Sequence, residues 1–184
     1  MQKLNLGSGN FLKKGYINID FYNPKADVQH NLNIIPYPFD SNSIDIIEAD
    51  HVIEHLHDVF AVMVELHRII KPNGILKIKV PHFSRGMSHP DHKRGFDITF
   101  PYYFDPTFKG GYTGVYFKIE KLQFKWLAQP YLKKQILPLP KYIFATIFGI
   151  IFDMLANLSP MFCSRIWCYL VGGFEEINFL FIKK

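Results

Sequence analysis

Cysteine is almost missing from this chain: Cys163 and Cys168, five residues apart near the end, are its only thiols. Such a pair makes neither a disulfide framework nor a four-ligand zinc site. Long apolar runs are scarce too. The longest, 142–152, is flanked by Lys141 and Asp153, and its eleven residues fall short of the roughly twenty that a spanning helix requires. Residues 1–10 have neither the basic nor the long apolar part of a secretory leader, so the expected location is cytoplasmic. There is no concentrated Lys/Arg stripe interleaved with stacking aromatics, which weighs against nucleic acid as a partner. No repeat, low-complexity tract or linker divides the chain, and one domain over 1–184 is expected.

Aromatic residues, by contrast, are plentiful, with eighteen Phe and ten Tyr, and hydrophobic residues reach 48%, enough for a full core. Basic residues outnumber acidic ones by 21 to 16. That balance favours anionic partners such as nucleotides, phosphosugars or an acidic membrane surface, and equally suits a solvated basic face.

The stretch Leu4-Asn5-Leu6-Gly7-Ser8-Gly9-Asn10 reads as a short buried strand running into a glycine turn. Glycines at 7 and 9 let backbone come close to a ligand, and the next strand, 16–20, ends on Asp20, a carboxylate suited to the two hydroxyls of a ribose. Only residues 7–15 separate the two strands, too few for a full crossover helix, so the first helix is expected to be stunted. Leu12 stands where a dinucleotide fingerprint has its third glycine, which disfavours NAD.

A third short strand is expected at 27–29, leading to His30-Asn31-Leu32, and a fourth at 44–49, delivering Asp50 and His51 to the carboxyl edge where open α/β sheets bind ligands. A helical pattern over 51–70 carries Val59, Met63, Leu66 and Ile70 on one stripe, with Asp58 as a cap. Strands follow at 75–80, at 115–126 with an irregularity near Glu120 and Lys121, and at 176–182.

The pieces LNLGSG, INID, IPYPFDSNSIDIIEADHVIEHL and HRIIKPNGILKIKVP stand in this order over roughly residues 3–83. Together they resemble a small class I S-adenosylmethionine-dependent methyltransferase of the type 11 kind, a group with many members associated with surface-polysaccharide synthesis. The resemblance implies an α/β, Rossmann-like, doubly wound and mostly parallel seven-stranded sheet with reduced helices. Its last strand is antiparallel and inserted beside the fifth. Residues 1–83 form the cofactor half and 84–184 the acceptor half, with an insertion at about 127–173. The cofactor implied is S-adenosylmethionine. Gly7, Ser8 and Gly9 lie against its methionine part, Asp20 on the ribose, Phe21 beside the adenine, Asn31 and Leu32 near the adenine amino edge, and backbone at Asp50 and His51 along the sulfonium side. The family often has Asp where this chain has Asn31.

His51-Val52-Ile53-Glu54-His55 also fits the inverted zinc-peptidase pattern, but it begins directly after a buried strand and lacks a convincing third ligand, so no metal is expected. The loop 81–97 is dense in titratable groups and leaves the carboxyl end of a strand. His92 with Asp91 or Asp97 is the acid/base candidate, and Arg94 is the clamp for a phosphate or carboxylate. The alternatives are simple loop ordering or a metal held by His82, His89 and His92. Aromatic residues at 99–114 are expected to form an acceptor-side lid or to anchor a loop in the core. Three readings fit the 142–152 run: a buried helix, a helix in the membrane interface with Lys133, Lys134 and Lys141 at the headgroups, or a subunit contact. The membrane reading extends over 141–158 and would bring the chain to the inner membrane face. The expected function is methyl transfer to a hydroxyl of a sugar or glycan precursor. The alternative is a non-catalytic partner or membrane-docking subunit of a glycan-assembly enzyme.

Overall fold

The computed structural model describes residues 1–86 and 89–184; Met87 and Ser88, in the polar loop, lie outside the described residues. Seven strands form one sheet: β1 (Lys3–Leu6), β2 (Ile17–Asp20), β3 (Val28–Gln29), β4 (Ile44–Asp50), β5 (Ile70–Pro81), β6 (Phe117–Lys125) and β7 (Glu176–Lys183). Their order is β3-β2-β1-β4-β5-β7-β6. The first five run parallel, and β7 lies antiparallel between β5 and β6. The irregularity in β6 falls between Ile119 and Lys121, where the alternation of apolar residues changes phase.

Strand alternation gives the sheet two unlike faces. On one, Leu4, Leu6, Ile47, Ala49, Ile78 and Val80 are fully buried beneath helix α1 (Val59–Ile69). Asp58 caps α1 by accepting the Ala61 N–H at 3.0 Å, and Val59, Val62, Met63, Leu66 and Ile69 form its inward stripe. The helix expected over 51–70 begins only here. Its first part is a turn of 3-10 helix at Ile53–His55, because His51 takes a left-handed φ of 55° and Leu56 is extended. The aromatic segment expected either as a lid or as a core anchor contributes to this same core. Phe100 and Phe104, in a 3-10 turn over Phe100–Phe104, pack on Phe117, Phe179 and Phe181.

The other face carries charge. Glu48 and Asp50 on β4 stand beside Lys77 and Lys79 on β5, with ion pairs of 3.0 and 3.1 Å. Residues 7–15 form turns and no helix, so this face lacks its usual cover. Lys13 reaches across instead, at 2.8 Å from Glu48 and 3.2 Å from Asp50, and the Tyr16 hydroxyl donates to Glu48.

A single helical turn, α2 (Phe83–Gly86), follows β5, and the insertion folds as helices α3 (Pro130–Ile136) and α4 (Leu139–Leu158), followed by short turns through Val171. Helix α4 lies along β6, the outer strand of the sheet. Asn157 accepts the Phe124 N–H and donates to its carbonyl, while Asp153 accepts the Trp126 N–H and pairs with Lys125 at 2.8 Å. These bonds satisfy a sheet edge that would otherwise stay open. They also turn the polar side of α4 inward. The 142–152 run is therefore the middle of a twenty-residue helix, and Asp153 is an inward-facing residue within it, not its end. The buried-helix reading is overturned, since Ile143, Phe144, Ile147, Ile150, Ile151 and Met154 all face outward and are exposed.

Candidate functional site

A cavity of about 860 Å³ opens at the carboxyl ends of β1 and β4, between the Gly7–Asn10 turn and the inner side of α4. Gly7 (φ 58°) and Gly9 (φ 48°) build the turn in the left-handed region. A Cβ at Gly7 would meet Val52 Cγ2 at 2.6 Å, whereas one at Gly9 meets nothing within 4 Å. Ser8 Oγ is buried without a hydrogen-bond partner and lines the cavity. A nucleoside cofactor fits these features: two backbone positions without side chains and an unsatisfied hydroxyl.

Asp20 orders this turn. One carboxylate oxygen accepts the Gly9 N–H at 2.9 Å, and the other accepts those of Tyr22 and Asn23, both at 2.8 Å. A carboxylate has about four acceptor positions, so three backbone bonds leave room for one more donor. Of the residues assigned to the cofactor, Gly7, Ser8, Gly9, Asp50 and His51 line the cavity. Asp20, Phe21, Asn31 and Leu32 lie outside its lining, along the edges of β2 and β3. Phe21 is exposed against Tyr22, the Asn31 side chain accepts the Asn33 N–H, and Leu32 is buried with its carbonyl accepting from the Tyr37 hydroxyl.

His51 is the electrostatic centre. Its Nε2 donates to Glu176 at 2.7 Å, and its Nδ1 lies 3.3 Å from Glu54, which is fully buried. Burial alone would lower the imidazole's pKa, yet the two carboxylates raise it to about 9, so the ring is cationic at neutral pH. Further along the polar face, Glu48 is pulled the other way. Burial would raise it, but the Lys13 and Lys77 ammonium groups hold it down to about 2.

A second cavity, about 340 Å³, meets the first at His51 and Gln129 and is lined by His55, His89 and His92. Here the structure corrects the proposed pairings. Asp91 pairs with His55 at 2.8 Å, and His92 Nε2 lies 3.9 Å from Glu54. Asp97 is bound by Arg165 at 3.0 Å and by the Thr99 N–H. Arg94 donates to the His57 carbonyl and lines neither cavity. His82 is not available to a metal trio, because both of its ring nitrogens are engaged, by the Ser84 hydroxyl at 2.7 Å and the Ser164 hydroxyl at 3.0 Å; separately, burial pushes its pKa down to about 4. Among the described residues, the grouping that forms is Glu54, His55 and His92, with one possible ligand atom from each within 4.8 Å of the others.

Sequence reasoning missed Lys79, Lys125, Asp153, Glu176 and Asn178, which complete the main cavity. A signal existed: polar residues alternate along β4, β5 and β7 on the face that the short 7–15 segment cannot cover.

Fold and cavity together define an α/β protein of the Rossmann-like class, with a cavity at the carboxyl edge of its sheet that a nucleoside-bearing cofactor fits. Residues 18–78 match the methyltransferase domain family. A probable S-adenosylmethionine-dependent methyltransferase from Mycolicibacterium smegmatis is 31% identical over 70 residues, covering 36% of this chain. The chain spans 27% of that relative's length. Over 99% of its length the fold is similar to solved S-adenosylmethionine-dependent methyltransferases from Archaeoglobus fulgidus (TM-score 0.60, 15% identity, 86% of that chain) and Mesorhizobium loti (0.58, 12%, 90%). It is similar as well to the [4+2]-cyclase SpnF (0.57, 13%, 74% of that chain). The fold of the chain is thus that of the solved S-adenosylmethionine-dependent methyltransferases, and residues 18–78, in its cofactor half, are similar to the methyltransferase domain family.

Proposed function

We propose that this protein binds S-adenosylmethionine and transfers its methyl group to a hydroxyl of a sugar or glycan precursor. The observation that carries the reading is the lining of the 860 Å³ cavity, where the glycine turn shares one space with Asp50, Lys79, Lys125, Gln129 and Asp153 and with the rings of Phe11 and Tyr131. Hydrogen-bonding groups beside aromatic faces suit a carbohydrate, whose hydroxyls need partners and whose apolar sides stack on rings.

When bound, the cofactor supplies a methyl group already activated by its sulfonium. What the chain adds is position and proton handling. The 7–10 turn holds the methionine portion, with Ser8 Oγ offered to a polar group. The protonated His51, its two ring nitrogens turned to Glu176 and Glu54, places a positive charge at the cavity wall and is a poor base in that state. His92, in the adjoining cavity, is the group assigned to take the acceptor's proton. Asp91 acts only at a distance, through His55.

A second reading, a non-catalytic partner or membrane-docking subunit in glycan assembly, is favoured by one observation: Asp20 is already engaged by three backbone N–H groups. Calorimetric titration with S-adenosylmethionine and S-adenosylhomocysteine separates the two, followed by label transfer to sugar nucleotides and lipid-linked glycans. The catalytic reading expects micromolar binding that is lost in Asp20→Ala. It also expects His92→Ala to bind normally while kcat falls about a hundredfold or more. Absence of binding by folded protein supports the second reading, and unchanged kcat in His92→Ala removes His92 as the base.

A further inference from the structure

The outward side of α4 is apolar along its whole length. Ile143, Ile147, Ile150, Met154 and Leu158 are all exposed there, Leu158 to 78%. The face continues through the turns that follow, with Phe162, Ile166 and Leu170 exposed in the same way. Its orientation is built in, because Asp153 and Asn157 are committed to the edge of β6 and Gly149 sits against Trp126. Turning the helix over would strip that edge of its partners. A surface this large and this apolar on a soluble domain marks an interaction site.

We propose that this face docks on the surface of an anionic lipid bilayer, with α4 lying in the plane of the interface. Three observations select lipid over protein. From 142 to 158 the exposed residues of α4 carry no side-chain nitrogen or oxygen, whereas protein interfaces have about one hydrogen bond per 100–200 Å² to fix their register. Charge around the face has one sign. Between 130 and 171 the basic residues are Lys133, Lys134, Lys141 and Arg165, and the single acid, Asp153, points inward to Lys125. Among the described residues, the exposed Lys134 and Lys141 have no acidic partner and are free to meet headgroup phosphates. Finally, an apolar cleft of about 230 Å³, lined by Leu155, Phe162, Trp167 and Phe174, opens in this face at a size suited to an acyl chain segment.

Docking of this kind has a consequence for access. Ile150 belongs both to the outward face and to the wall of the main cavity, so an acceptor anchored in the same bilayer would approach at the cavity's rim. The docking proposal itself does not depend on methyl transfer.

The test is flotation of the purified full chain with phosphatidylcholine vesicles, with and without phosphatidylglycerol, at low and high salt. The wild type is expected to float with the anionic vesicles and to bind neutral ones more weakly. Ile147→Glu/Ile151→Glu, at exposed positions that leave the β6 contacts intact, should lower partitioning by about tenfold or more while far-UV circular dichroism and cofactor binding stay unchanged. Lys134→Glu/Lys141→Glu should abolish the preference for anionic vesicles. Failure of the folded wild type to float overturns the proposal, as does equal binding of the Ile147→Glu/Ile151→Glu variant. A stable dimer that the same variant dissociates would instead make a second copy of this chain the occupant.

Discussion

At the scale of single residues, Gly7 and Gly9 look interchangeable in sequence and are not. Both have positive φ, so any side chain at either position carries backbone strain of about 1–3 kcal/mol. At Gly7 an added methyl also runs into Val52, while at Gly9 it projects into open space along the cavity wall. Gly7→Ala should therefore lose about 3 kcal/mol, lowering Tm by about 10 °C. Gly9→Ala should lose about 1 kcal/mol yet weaken S-adenosylhomocysteine binding by about tenfold, because its methyl occupies ligand space. Thermal melts alongside calorimetry check both, and equal Tm losses would show that the Val52 contact yields. The two glycines were legible from the sequence because turn chemistry is local. The His51–Glu176 pair was not, since its partners lie 125 residues apart and meet only through the β4–β5–β7 pairing.

At the scale of elements, the strands were readable because their apolar residues alternate, and six of the seven begin and end within about two residues of the expected positions. Strand β5 is the exception, starting at Ile70 and absorbing the Lys71–Gly74 turn. Helix α4 was read only as the 142–152 core. The apolar run alone marked it, flanked by Lys141 and Asp153, whereas the helix begins at Leu139 with proline in its first turn, where proline is suited, and runs past Asp153 to Leu158. What fixed the helix was the tertiary need of the β6 edge, which no local pattern records. Asn157→Ala removes both bonds to the Phe124 backbone and should cost about 2 kcal/mol, seen as a lower Tm. Ile147→Ser on the opposite side should leave Tm within about 1 °C of wild type, because that side chain is exposed in water. If Ile147→Ser instead destabilised the monomer as much as Asn157→Ala, the outward orientation of α4 would be wrong.

At the scale of the whole molecule, the half-buried His51 and the fully buried His82, shifted in opposite directions, set the pH dependence of stability. His51 is raised from 6.5 to about 9 by Glu176 and Glu54, so it holds its proton more tightly folded than unfolded. Its contribution, about 3 kcal/mol at most, is complete below about pH 6.5 and is lost as pH rises through about 9. His82 is lowered from 6.5 to about 4 by burial, so the unfolded chain takes up the proton first. Stability therefore falls as pH drops from about 6.5 toward 4, by a similar amount. Glu48, depressed from 4.5 to about 2, deepens the acid loss below about pH 4.5. The two histidine limbs meet near their shared unfolded value, which puts maximum stability near pH 6.5 despite a basic isoelectric point of about 9.1. Tm measured across this range should trace a dome. His51→Gln, which keeps a donor toward Glu176 but cannot titrate, should flatten the alkaline limb alone. His82→Asn should flatten part of the acid limb and leave the alkaline one. An alkaline limb that survives in His51→Gln would mean that another group supplies it, and the cationic state assigned to His51 at the junction of the two cavities would have to be abandoned.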